Sequence, residues 1–248
     1  MKWSVVVTTA PRRECTLIQT LESLTDCGWD PTVFAEPGST STSYPTHHNE
    51  TRLGVWHNWL KSCSWALAQQ PDFVMTVQDD CEFHPESKDL IESINWPLDA
   101  GYVSLYTPKH YQIWRNGRPR QLGMYHVNTS SMWGACALVF RPNILQSLIN
   151  HPCAKHWLGV RGKNIKQWPA LKLKRQQNPW MIQNSDTVIG SVLTRNFGLK
   201  LYYFNPSPAS HISKFSAIGH GDNRGRRNAW KIADPSIPLA DQLKSNFA

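Results

Sequence analysis

The segment Phe73-Val74-Met75-Thr76-Val77-Gln78-Asp79-Asp80 constrains this chain more than any other. An apolar run with the length and β-branched content of a buried strand stops abruptly at two adjacent carboxylates. Acids at the carboxyl end of such a strand face the crevice where open α/β sheets bind ligands. Adjacent carboxylates repel, so they need a counter-charge, and a divalent cation is the usual one. A metal-bound phosphorylated ligand is the first expectation, and a helix-capping or solvated turn pair is the other.

The flanking pattern puts this strand in an alternating series. Trp3 to Thr9 reads as a first strand, stopped by Pro11, and Leu17, Ile18, Leu21 and Leu24 share one helical face. Thr32 to Ala35 is a short strand, and Trp56, Trp59, Leu60 and Cys63 recur at helical spacing from about Val55 to Gln69. Strands separated by helices imply βαβ units and a mostly parallel sheet. Further on, Pro85 opens a helix through Ile94, Gly101 to Tyr106 is a strand, and Lys109 to Thr129 reads as a polar, basic, aromatic loop. Trp133 to Phe140 reads as a buried strand, and a helix begins at Pro142. Residues 152–183 read as irregular. Ser185 caps a helix to Phe197 with Gly198 at C′. Leu199 to Phe204 is a last strand, followed by a polar tail.

At 248 residues with 40% hydrophobic side chains, the chain can bury a full core as one large domain or two closely packed lobes. No apolar run approaches membrane-spanning length, and Met1 to Val7 lacks a signal-peptide pattern. Six cysteines without a CxxC pair read as reduced thiols of a cytosolic protein. Charge is segregated. Residues 1–99 hold 14 acids and 6 bases, residues 100–185 hold 12 bases and no acid, and the whole chain carries +8. Such a stretch predicts a positive face for a polyanion, with nucleic acid the commonest, or a basic surface that serves solubility alone.

The order of the pieces resembles a known family. Val5-Val6-Val7-Thr8-Thr9 with Arg12 and Arg13 comes first, then Gly54 with Asn58-Trp59, then Gln78-Asp79-Asp80. Trp133-Gly134-Ala135, Asp186 and a late His211 follow. This looks like a GT-A glycosyltransferase that uses a nucleotide sugar and a divalent metal. The resemblance implies an α/β fold with a Rossmann-like, mostly parallel sheet flanked by helices and a basic acceptor-side C-terminal half. Residues 1–100 would be the nucleotide-sugar part and 101–248 the acceptor-binding and catalytic part of a single GT-A domain.

The acid pair would stand for the family's DxD motif, departing from it at Gln78. Asp80 would bind Mn²⁺ or Mg²⁺, with His211 as a second ligand and His220 its rival, and Asp79 would contact the ribose or sugar of a UDP-sugar. Thr8, Thr9, Arg12, Glu36, Asn58 and Lys214 would meet the nucleotide or its diphosphate. Asp186, the one acid between Asp99 and Asp222, would be the general base of an inverting transfer, or an acid that merely stabilises a helix N-terminus. Trp133 and Gly134 would line the acceptor side. Arg118, Arg120, Lys172, Lys174 and Arg175, interleaved with tryptophans, have the composition that holds phosphates and stacks bases.

The chain is similar in charge and size to phage-type enzymes that glycosylate hydroxymethylated pyrimidines in DNA, whose target base would have to be flipped out of the duplex. That implies DNA as acceptor and a cytoplasmic site of action, in the host if the chain is viral. A transferase acting on a surface glycan or lipid-linked sugar, and a non-catalytic nucleic-acid-binding module, are the competing expectations.

Overall fold

The computed structural model describes residues 1–113, 118, 120–127, 132, 134–155, 157, 185–213, 229 and 231–243. Apolar alternation along the early strands sets the architecture. In β1 (Trp3–Thr9), Val5 and Val7 point into one core layer and Val6 into the other. In β4 (Phe73–Gln78), Met75 and Val77 face the first layer and Val74 the second. Strands buried on both faces read as continuous hydrophobic runs.

β1, β2 (Pro31–Ala35), β3 (Thr46–His48) and β4 form the parallel part of an eight-stranded sheet in the order β3-β2-β1-β4-β8-β6-β9-β7. β8 (Ala137–Phe140) runs against β4 and against β6 (Ala100–Ser104). β9 (Lys200–Asn205) is parallel to β6, and β7 (Gly123–Val127) closes the edge antiparallel to β9. The sheet is thus mostly parallel and continuous across both parts expected from the sequence. A two-stranded ribbon pairs β5 (Cys81–Phe83) with β10 (Ala209–His211).

Helices cover both faces. α1 (Leu17–Asp26) and α3 (Ser87–Ser93) pack on the Val5/Val7 side, joined by α8 (Leu239–Leu243). α2 (Gly54–Ala68), α5 (Pro142–Asn150), α6 (Pro152–Lys155) and α7 (Ser185–Ser191) pack on the Val6/Val74 side. The remaining helix is α4 (Lys109–Gln112). Among the described residues, no helix is long and apolar enough to cross a membrane.

Three expectations need correction. The segment 109–129 contains α4 and β7 rather than loop alone: β7 is an edge strand with partly exposed, polar positions, so its hydrophobic alternation is weak. The strand expected from Trp133 begins at Ala137, because Gly134 adopts φ +80° and breaks extended backbone. The helix from Ser185 turns π-helical over Val192–Asn196 before ending at Phe197.

Candidate active site at the carboxyl end of the sheet

β4 ends at Gln78, and the chain turns through Asp79 and Asp80 into β5. Because Val77 and Thr9 lie on the α1 side of the sheet, Asp79 meets Thr9 there: the Thr9 hydroxyl donates to Asp79 Oδ2. Thr16 at the start of α1 donates to the Asp79 carbonyl at 2.7 Å. Arg12, in the loop between β1 and α1, spans both carboxylates. Its Nη2 pairs with Asp79 Oδ1, and its Nη1 donates to Asp80 Oδ2 at 2.9 Å. The resemblance assigned Arg12 to the nucleotide, whereas here its guanidinium is the counter-charge that the acid pair requires.

His211 arrives by strand register. β10 pairs with β5 so that His211 lies opposite Cys81, and Ile212 N–H donates to the Asp80 carbonyl. His211 Nε2 sits 3.1 Å from Asp80 Oδ2. That contact pairs Nε2 with the carboxylate. Among the described residues, His211 Nδ1 and Asp80 Oδ1 are buried without a hydrogen-bond partner. Buried polar atoms rarely stay unpaired in a native protein unless something else binds them.

Burial makes the two acids differ. It raises Asp79, and although Arg12 pulls the other way, the group stands at about 7 with the Asp80 charge beside it. Burial also pushes Asp80 upward, but His211 and Arg12 outweigh it and hold the carboxyl at about 2. Burial opposes the charge on Arg12 too, yet Asp79 and Asp80 more than compensate and the guanidinium holds its proton more firmly than usual. One cation thus faces two carboxylates, and Asp80 is the ionised one with an oxygen to spare.

Asp80 and His211 offer a carboxylate oxygen and an imidazole nitrogen. This donor pair fits Mg²⁺ or Mn²⁺, ions that typically take one or two carboxylates and complete their shell with phosphate oxygens and water. Two thiols lie nearby: ligand atoms of Asp80, Cys81 and Cys136 fall within 4.8 Å of one another. The neighbouring Cys136 and burial push the Cys81 thiol well above its usual range, so it is a poor partner for a hard cation. All six cysteines are free.

On the opposite face of β4 lies a crevice. Thr8, Thr76 and Gln78 line its floor, Trp56 and Trp59 of α2 one wall, and Ala135, Asp186 and Ile189 the other. It holds about 340 Å³ of empty space counting its open mouth. Asp186 stands in the first turn of α7, where Gly134 N–H donates to Oδ2 at 2.9 Å and the Ser185 hydroxyl to Oδ1 at 3.2 Å. A side chain at Gly134 would put Cβ 2.8 Å from Tyr106 Cε1 and 3.0 Å from Pro108 Cγ. Glycine is therefore required both by its φ and by the space.

The structure brings Thr9, Arg12, Asp79, Asp80 and His211 together on one face, and Thr8, Gly134 and Asp186 around the crevice on the other. Glu36 and Asn58 are engaged internally. The two Glu36 carboxylate oxygens accept from Leu53 and Gly54 N–H at the start of α2. Asn58 donates to the Phe34 carbonyl and accepts from Asn49. Arg120 places its guanidinium 5.4 Å over the Tyr125 ring just before β7, whose first residue pairs with Asn205 at the carboxyl end of β9. Arg118 is exposed nearby. Trp133, Lys172, Lys174, Arg175, Lys214 and His220 lie outside the described residues. Sequence reasoning passed over Thr16; Trp56 and Trp59, at helical spacing in α2, are buried in the core and also line the crevice.

No protein-family model matches the chain, and no curated protein matches it in sequence. Among solved structures, A197 from STIV aligns over 86% of this chain and 86% of its own, at 12% identity and a TM-score of 0.45. HddC from Yersinia pseudotuberculosis aligns over 61% of this chain and 80% of its own, at 13% identity and a TM-score of 0.39. TarS from S. aureus, in complex with UDP-GlcNAc, aligns over 60% of this chain at 16% identity and a TM-score of 0.41, and this chain spans 46% of that one. The chain itself has an α/β fold, a mostly parallel sheet flanked by helices, with a group of candidate metal-binding atoms at Asp80, Cys81 and Cys136 near the carboxyl end of β4.

Proposed function

We propose that this chain is a metal-dependent, inverting glycosyltransferase that moves a sugar from a UDP-sugar to the hydroxyl of a 5-hydroxymethylpyrimidine in DNA. The observation that carries the reading is the buried Asp80 Oδ1, without a hydrogen bond, beside His211, whose Nε2 pairs with Asp80 Oδ2 and whose Nδ1 has no hydrogen bond, at the carboxyl end of β4. Asp80 and His211 would hold Mn²⁺ or Mg²⁺. When bound, such an ion supplies positive charge to a diphosphate leaving group.

The chain's own groups do the rest. Arg12 neutralises one carboxylate and fixes the other in place. Asp186, oriented by Gly134 and Ser185, takes the proton of the attacking hydroxyl at a carboxylate oxygen. A single displacement with a carboxylate base inverts the anomeric centre. The acid-free stretch 100–185 supports a polyanionic acceptor. Arg118 and Arg120, at the same end of the sheet as the acid pair, would contact its phosphates. The free thiols accord with a reducing, cytoplasmic site of action, in the host if the chain is viral.

The test uses the full chain with UDP-sugars, hydroxymethylated duplex DNA and Mn²⁺, with and without a chelator. Mass spectrometry of the digested nucleosides should find a hexose-modified pyrimidine only with metal. Metal-dependent UDP release without nucleoside modification would move the acceptor to a glycan. DNA binding that ignores salt would remove the phosphate-contact role, because neutralising phosphates makes affinity fall steeply with salt.

A further inference from the structure

The crevice on the α2 face contains an imbalance that the catalytic groups do not use. Thr76 and Trp59 both line it, with 1% and 7% of their surface exposed. Among the described residues, Thr76 Oγ1 and Trp59 Nε1 have no hydrogen-bond partner. A buried hydroxyl or indole N–H left unpaired costs stability that a hydrophobic residue of similar shape would not. Two such groups on one small cavity point to a ligand that pairs them.

The chemistry of that ligand follows from the walls. Trp56 and Trp59 stack with ring centroids 5.1 Å apart, and among the described residues no Lys, Arg or His lines the space. These walls offer a phosphate no counter-charge. The space in the crevice open to a water-sized group is about 20 Å³, enough for one small polar group rather than a ring. An indole N–H needs an acceptor, and a threonine hydroxyl can donate or accept. The group is therefore neutral, compact and oxygen-bearing.

Its position identifies its owner. Gln78 forms the floor on one side and leads directly into Asp79 and Asp80, while Asp186 stands on the other. A sugar carried between a diphosphate at Asp80 and an acceptor at Asp186 would lie beside Gln78 and Asp186, which both line this cavity. Resting on the glycosyltransferase reading above, we infer that the crevice is a donor-specificity subsite. Trp59 N–H and the Thr76 hydroxyl hold a neutral oxygen-bearing arm of the transferred sugar, such as a hydroxymethyl or acylamino group.

The experiment measures the affinity of the full chain for UDP, UDP-xylose, UDP-glucose and UDP-GlcNAc by calorimetry with Mn²⁺. UDP-xylose lacks the hydroxymethyl arm that UDP-glucose carries. The wild type should bind at least one armed donor about tenfold or more tighter than UDP-xylose, the equivalent of one well-made hydrogen bond. Thr76→Val and Trp59→Phe, which delete only the polar atoms and little volume, should erase most of that preference and leave UDP affinity intact. Their melting temperatures should hold or rise, because an unpaired buried group is removed. Armed-donor preference unchanged in both variants, or no preference in the wild type, overturns the inference alone. Failure of the wild type to bind UDP at all overturns the glycosyltransferase reading and this inference with it.

Discussion

The two faces of β4 end in opposite kinds of chemistry within one turn of chain. On the α1 face, Asp79, Asp80, Arg12 and His211 crowd into a buried charged cluster in which all but a few atoms are matched. On the α2 face, among the described residues, a crevice with an indole wall holds unpaired neutral groups and one carboxylate, Asp186. The difference shows how the end of one strand can divide labour. Charge that would be ruinous beside apolar walls is gathered where an internal guanidinium balances most of it, and the neutral side is left free to read shape and hydroxyl pattern.

Damage to the proposed general base, Asp186, should separate the faces most clearly. Asp186→Asn keeps the hydrogen bond from Gly134 but cannot take a proton, so transfer should fall about 10²–10⁴-fold while calorimetry finds UDP-sugar binding unchanged. Full turnover would return Asp186 to a helix-stabilising role. On the other face, Asp80→Asn removes the ionised ligand. Metal-stimulated UDP release should drop about 10²–10³-fold, with the residual rate indifferent to Mn²⁺.

Arg12→Met tests whether the charged cluster holds the fold or only the ligand. It leaves two buried acids without their cation and should cost about 3–5 kcal/mol of stability in denaturant unfolding. Thr76→Val on the opposite face should cost nothing. An equal loss in both variants would dissolve the contrast. Gly134→Ala forces a Cβ against Tyr106 at a left-handed φ, for about 1–3 kcal/mol. It should lower turnover through Asp186 more than it lowers UDP affinity.

The smallest effect is a pH dependence with a definite sign. Asp79 stands at about 7 against the usual 3.8, so its contribution is full below the usual value and is lost as pH rises through about 7. Asp80 stands at about 2, so its contribution is present above the usual value and lost as pH falls toward 2. Without metal, stability should therefore decline as pH rises from about 4 to about 7 and level off past neutrality, at a slope of at most about 1.4 kcal/mol per pH unit, seen as a falling melting temperature. Asp79→Asn should flatten that decline, and Mn²⁺ should reverse it by supplying the missing positive charge.

Much of this site was legible before any coordinates. The end of the Phe73 run marked the acid pair, and the isolation of Asp186 in an acid-free stretch marked the candidate base. Arg12 was visible only as a basic residue after the first strand. Its partnership with Asp79 and Asp80 spans more than sixty positions and leaves no local trace. β5 and β10 have three residues each, too few for a period to register. Their pairing is what sets His211 beside Asp80.

The sequence by itself determined the alternating strands and helices, the sheet's burial on both faces, the place of the acids and the segregation of charge. All of these follow from side-chain periodicity and composition along a single line. What required the folded molecule is which charge meets which, that Arg12 answers the acid pair, and that Trp56 and Trp59, both buried in the core, also line a crevice. Those facts depend on distances between residues far apart in the chain, and hydrophobic patterning dictates that such residues are buried without dictating what they touch.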